Sequence, residues 1–275
     1  MHPKDYAQCE GASRSLRLLK PAFSRLTSSQ PIRPRRNVLE CVRIARMLIL
    51  GSNSPRRQQL LTLGGWTFRV VAPVLDETPQ PGEEPTEVVM RLATEKAKEV
   101  ANILNNAVLS PETTIIAADT AVVLEGTILG KPRDAAEAVR MLRLLRGRSH
   151  QVFTGVAVYR PVQDLLLTDG CCTEVTMRSY TKAEIARYVA SGDPLDKAGG
   201  YAIQHVGFQP VERWQGCYPN VMGLPLCHLA RLLAQVGIPS RNDLPSACQT
   251  SLDHHCHIYA EILPSLDSIG TRNAP

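Results

Sequence analysis

The stretch TTIIAADTAVVLEGTILGKP, residues 113–132, constrains the fold of this chain more than any other. Its β-branched and small apolar residues favour a buried strand. Asp119 follows directly on that run, and a carboxylate there is costly unless it has a partner or a task. The pattern reads as a strand, a polar interruption at Asp119-Thr120, a second strand, a turn at Glu125-Gly126 and a short return strand to Gly130.

Strand-like and helix-like runs alternate on both sides of it. MLILG (47–51) reads as a buried strand, 55–64 as a helix opened by Pro55, and TFRVV (67–71) as a strand. After a loop rich in Pro and acids, residues 86–104 carry Val88, Val89, Leu92, Ala93, Lys96, Val100 and Ile103 at helical spacing. A helix is expected over 134–145, long strands over 149–160 and 165–178, and a helix over 181–190. A short strand at YAIQ (201–204) and a closing helix over 224–236 complete the pattern. The expectation is one α/β unit over 47–238, with two lobes around a central cleft.

The flanks differ from this middle. Residues 1–46 hold ten Lys or Arg against three acids, with no sustained apolar period, and read as a disordered N-terminal extension. An organelle transit peptide, or a true start at Met47, are the other readings of that leader. Residues 239–275 read as a loosely structured C-terminal tail; DHHCHIY within it has metal-ligand chemistry, with an unstructured tail or a reading-frame extension as the alternatives. The net charge of +5 sits at the ends, because residues 47–238 balance 19 basic against 19 acidic residues. The middle therefore lacks the basic excess of a nucleic-acid binder. The eight scattered cysteines form no CxxC pair, which fits reduced thiols in the cytoplasm. With no run of 18 uncharged apolar residues, no transmembrane helix is expected.

Several residues carry chemical potential. LGSNSPRRQQLL (50–61) feeds a strand through a small-residue turn into a helix, which aims backbone N–H groups at one point. Ser52, Ser54, Arg56 and Arg57 add donors suited to phosphate oxygens, although a solvated basic helix start would look the same. Asp119 can hold a divalent cation, take a proton from water or serve as a turn carboxylate. Lys131 is presented between Gly130 and Pro132. Lys96, on the apolar side of its helix, either snorkels or faces an internal anion. Glu77 lies in the acidic loop LDET.

Together with TGV (154–156), DKAGGYAIQ (196–204) and NVMGLPL (220–226), the ordered set S-x-S-P-R-R, A-D-T, G-K-P, D-K-A-G-x-Y-x-I-Q and G-L-P resembles the Maf family of nucleoside triphosphate pyrophosphatases, from about Met47 to Gly237. That resemblance implies an elongated mixed-sheet α/β fold similar to the inosine triphosphate pyrophosphatases. It also implies cleavage of a nucleoside triphosphate between the α and β phosphates, with a divalent metal cation, Mg²⁺ or Mn²⁺. By the same resemblance Asp119 is the proton acceptor, and Ser52, Arg57, Lys96 and Lys131 surround the triphosphate. Glu77 and Asp119 are the metal residues, while Arg56, Thr120 and Gln204 set base preference. Their identities look like the dTTP/UTP group; a 7-methyl-GTP or other purine enzyme, and a nucleotide-binding regulator of septum formation, are the alternatives. A homodimer is the oligomeric state the family suggests, with neither nucleic acid nor membrane as partner.

Overall fold

The computed structural model describes residues 47–263, so the extension read at residues 1–46 lies outside the described residues. In chain order the elements are β1 (Leu48–Leu50), α1 (Pro55–Leu63), β2 (Arg69–Val70), α2 (Pro85–Val108), β3 (Thr114–Leu124) and β4 (Thr127–Leu129). Then come α3 (Ala135–Leu145), β5 (Ser149–Arg160), β6 (Leu165–Met177), α4 (Lys182–Ala190) and β7 (Val211–Gln215). Helices α5 (Tyr218–Met222), α6 (Leu226–Gln235), α7 (Leu244–Leu252) and α8 (Tyr259–Ile262) close the described chain. The strands form one mixed sheet in the order β2-β1-β3-β5-β6-β7, with β4 hairpinned onto β3. β1 runs parallel to β2 and β3, and the remaining pairs are antiparallel.

Two lobes arise because the long central strands cross from one apolar core to another. On one face of β3, Ile116 and Ala118 belong to a core shared with α1, α5 and α6, whereas Val122 and Leu124 belong to a second core shared with α3 and α4. Thr120 falls between them. On the opposite face, beneath α2, Ile115 and Ala117 lie in one apolar cluster and Ala121 and Val123 in another, with Asp119 at the gap. The same gap recurs on β5, where Thr154 pairs with Thr120 and Gly155 with Asp119. Period-two alternation thus presents two polar residues, one per face, where the two halves of the core part.

Helix α2 starts at a capping box, in which Glu84 and Glu87 each serve the other's backbone and Pro85 takes the first turn. Its buried stripe of Val89, Ala93, Ala97 and Val100 packs on the sheet. Lys96 is carried on that packed helix and is itself buried.

Three expectations are corrected. The interruption at Asp119-Thr120 is absent, and β3 runs unbroken from Thr114 to Leu124. YAIQ is no strand: Tyr201 and Ala202 are buried, but the following backbone turns, with His205 N donating to Ala202 O at 3.2 Å and Gln209 N to His205 O at 2.8 Å. The last strand is the more exposed VERWQ of β7. Finally, the segment read as a loose tail is docked as far as residue 263. Ser240 Oγ and Arg241 N donate to Gly64 O at 3.1 and 2.9 Å, and Asn242 Nδ2 donates to Leu63 O at 2.9 Å. These bonds satisfy carbonyls that the end of α1 would otherwise leave open. Leu244 and Cys248 join the core beside α1, and the His254 ring stacks on Tyr218 with centroids 5.0 Å apart. Among the described residues no helix is long and apolar enough to cross a membrane.

Candidate active site

A cleft of about 540 Å³ opens where the two cores part. Ser52, Arg56, Arg57, Glu77, Lys96, Asp119, Thr120, Lys131 and Gln204 all line it, although they span more than 150 positions of the chain.

One wall is built on α2 and β3. Lys96 Nζ lies 2.5 Å from Asp119 Oδ1 and 2.6 Å from Glu77 Oε1, and Lys131 Nζ lies 3.1 Å from Glu77 Oε2. The Lys96 and Asp119 side chains are 9% and 12% exposed, so this ion pair is shielded from water while Glu77 and Lys131 form its open edge. Burial pushes the Glu77 carboxyl up, but Lys96 and Lys131 outweigh it and hold its pKa at about 2. Lys96 therefore faces internal anions rather than snorkelling. Its helix can come this close because Gly155, directly across the sheet from Asp119, has no side chain: a Cβ there would stand 2.5 Å from Val89 O on α2.

The other wall is the turn between β1 and α1. Ser54 caps α1, accepting from Arg57 N at 3.5 Å, and Ser52 Oγ accepts from Ser54 N at 3.2 Å. Arg57 lies across this turn: Nε donates to Gly223 O at 2.8 Å, Nη1 to Ser52 Oγ at 3.4 Å and Nη2 to Thr120 Oγ1 at 3.1 Å. Desolvation of the guanidinium lowers its pKa, with Asp119 opposing that shift. Gly223, at φ 106°, leaves room for the stack; a Cβ would sit 3.3 Å from both Arg57 Nε and Thr120 Oγ1. At the far end Gln204 lines the cleft with a buried Oε1 that has no hydrogen-bond partner.

Five participants had been given no role from sequence. Asp196 Oδ2 meets Arg56 Nη1 at 3.4 Å, and its Oδ1 accepts from the buried Lys197 Nζ at 2.6 Å. Gly223 supplies the carbonyl for Arg57, while Thr154 and Asn220 lie behind Thr120. All five fall inside the motif segments 154–156, 196–204 and 220–226, which was the available signal; apart from the adjacent Asp196 and Lys197, their partners are too distant in sequence to be read from it.

The donor set fits a hard divalent cation. Glu77 and Asp119 offer carboxylate oxygens beside an open cleft, and Mg²⁺ is commonly bound through one or two carboxylates with substrate phosphates completing its shell. Among the described residues no group of three or more His, Cys, Asp or Glu side chains is arranged to hold a metal, and this includes the DHHCHIY stretch.

Comparison with known proteins leads to the same family. The family model described as "Maf-like protein" matches residues 47–236. A dTTP/UTP pyrophosphatase of Dictyoglomus thermophilum is 46% identical over 192 residues, covering 69% of this chain and 96% of that protein. Those of Pelotomaculum thermopropionicum and Geobacter sulfurreducens are each 45% identical over 190 residues, covering 69% of this chain and 96% of each protein. Among solved structures, the Ham1 protein of Staphylococcus aureus is similar at a TM-score of 0.35 and 16% identity, covering 75% of this chain and 98% of that one. With its whole structured middle matched by the family model and by relatives along almost their full length, this chain belongs to the Maf family.

Proposed function

We propose that the chain is a nucleoside triphosphate pyrophosphatase that hydrolyses dTTP and UTP to the monophosphate and pyrophosphate with Mg²⁺ or Mn²⁺. The observation that carries this reading is the facing of a buried carboxylate, Asp119, and a cationic wall across one cleft. The names of the relatives supply the substrate class.

Asp119 acts as the acceptor for the proton of the attacking water. Lys96 holds the carboxylate through Oδ1, fixing its position. Attack at the α-phosphorus builds negative charge on the non-bridging oxygens and on the departing pyrophosphate. Arg57, Lys96 and Lys131 are placed before substrate arrives, so they stabilise that charge without reorganising. Ser52 and the turn amides add neutral donors. Glu77 and Asp119 would hold the divalent cation, which when bound supplies further charge neutralisation and lowers the pKa of water. Arg56, Thr120 and Gln204 face the base. The Gln204 amide offers both a donor and an acceptor, matching the O4 and N3–H edge shared by uracil and thymine. Among the described residues the cysteines are free and mostly buried, which supports work in the reducing cytoplasm, and a homodimer is the assembly we expect.

A panel of nucleoside triphosphates incubated with the full chain and Mg²⁺ or Mn²⁺, scored for pyrophosphate release, tests the proposal. Preference for UTP and dTTP is expected. Preference for 7-methyl-GTP or another purine, or binding without turnover, would overturn it.

A further inference from the structure

Thr154 does not itself line the cleft, yet it is fully buried and pairs on the neighbouring strand with Thr120, which does. A hydroxyl has one proton to give. That of Thr154 goes to the backbone carbonyl of Asn220 at 3.1 Å, a group that can only accept. The 3.0 Å contact between the two threonine oxygens therefore runs one way, with Thr120 as donor. Thr120 in turn accepts from Arg57 Nη2 at 3.1 Å. Its proton is committed and one lone pair is occupied, so a single lone pair is left to turn into the cleft.

The anchor of this chain is as fixed as the chain itself. Asn220 is fully buried, and its Nδ2 donates to Val152 O and Thr173 Oγ1, both at 2.9 Å. Gly223 keeps the approach to Thr120 Oγ1 clear, since any side chain there would begin 3.3 Å from it. The direction of the hydrogen-bond chain is thus imposed from the neighbouring strand β5 and helix α5, by groups that do not line the cleft.

We infer that Thr154 is a specificity-determining positioning residue: by committing the Thr120 proton it makes Thr120 an obligate acceptor, which selects bases carrying N–H at ring position 3. Uracil and thymine carry that proton, whereas cytosine presents a bare lone pair at the same position. The inference rests on the reading of the cleft as a pyrimidine nucleotide site. In it the N3–H is shared between Thr120 and the Gln204 carbonyl, while the Gln204 amide serves O4. Cytosine is rejected because lone pair meets lone pair in a partly desolvated pocket.

The test compares kcat/KM for UTP and CTP in the wild-type chain, Thr154→Val and Thr154→Ser. Valine keeps the shape and frees the Thr120 hydroxyl to rotate and donate, so the UTP:CTP ratio should fall by about tenfold, mostly through a gain on CTP. Serine, which retains the hydroxyl, should restore the wild-type ratio. A folded Thr154→Val that keeps the ratio overturns the inference, as does a rise in KM common to both nucleotides, which would seat a sugar hydroxyl against Thr120. Should the valine variant fail to fold, Thr120→Val carries the test from the cleft side: it should lose the preference for UTP over CTP, and an unchanged ratio overturns the inference. A wild-type chain that does not distinguish UTP from CTP overturns the inference as well, whereas preference for a purine nucleotide would contradict the functional reading itself.

Discussion

Gly155 stands directly across the sheet from Asp119, and the missing side chain is what lets α2 bring Lys96 to the Asp119 carboxylate. A methyl group there would press on the Val89 carbonyl, which is backbone and cannot swing aside. Gly155→Ala should therefore push α2 off the sheet, costing about 1–3 kcal/mol in urea unfolding. Pyrophosphate release should fall with it. Unchanged stability and turnover would show that the close approach is incidental.

Lys96 bridges two carboxylates, and removing it leaves Asp119 buried without the cation in direct contact with it. Lys96→Met should cost about 3–5 kcal/mol of stability, as expected when one partner of a buried pair is lost. Turnover should drop at least about 100-fold, because a cation poised for the developing phosphate charge is gone. Chemical denaturation and steady-state kinetics on the same preparation check both figures.

Much of this arrangement was legible from residues alone, for a physical reason. Residues of β3, β5, α2 and α3 face a core on a regular period, so their order and extent appear in the sequence. The Asp119 anomaly likewise marked the site, because a carboxylate in an apolar run demands an explanation. What stayed hidden depends on partners brought together only by folding. The sequence cannot show that Lys96 compensates Asp119, so the strand looked broken there. β7 exposes most of VERWQ and lacks the alternation that announces a strand. α7 buries only Leu244 and Cys248, too few positions to display a period. Thr154 and Asn220 look like ordinary core residues until the Thr154 hydroxyl is traced from the Asn220 backbone carbonyl to Thr120.

His150, on β5, is buried and its Nε2 meets Tyr201 OH at 2.7 Å. Burial lowers its pKa from 6.5 to about 4. Between those two values the unfolded chain takes up a proton that the folded chain refuses, so stability should fall as pH drops from about 6.5 toward about 4 and level off below. The loss amounts to about 3 kcal/mol at most. Urea midpoints across that range should slope in the wild-type chain and flatten in His150→Gln, which keeps an acceptor for Tyr201. Parallel slopes would assign the acid sensitivity elsewhere.

The docked segment after α6 lies beyond the region matched by the family model, yet it caps α1, whose first turn carries Arg56 and Arg57. Leu244→Ala removes its deepest anchor and should cost about 2–5 kcal/mol. A thermal unfolding midpoint indistinguishable from wild type would mean that this segment contributes nothing to the domain.

The account turns on Asp119 as the proton acceptor, and Asp119→Asn tests it most directly, because asparagine keeps the shape and a carbonyl oxygen for Lys96 but cannot take the proton. Pyrophosphate release from UTP should fall by about 10²–10⁴-fold in a variant that still folds and still binds UTP. Release within threefold of the wild-type rate would contradict the central assignment and place the proton acceptor on another group.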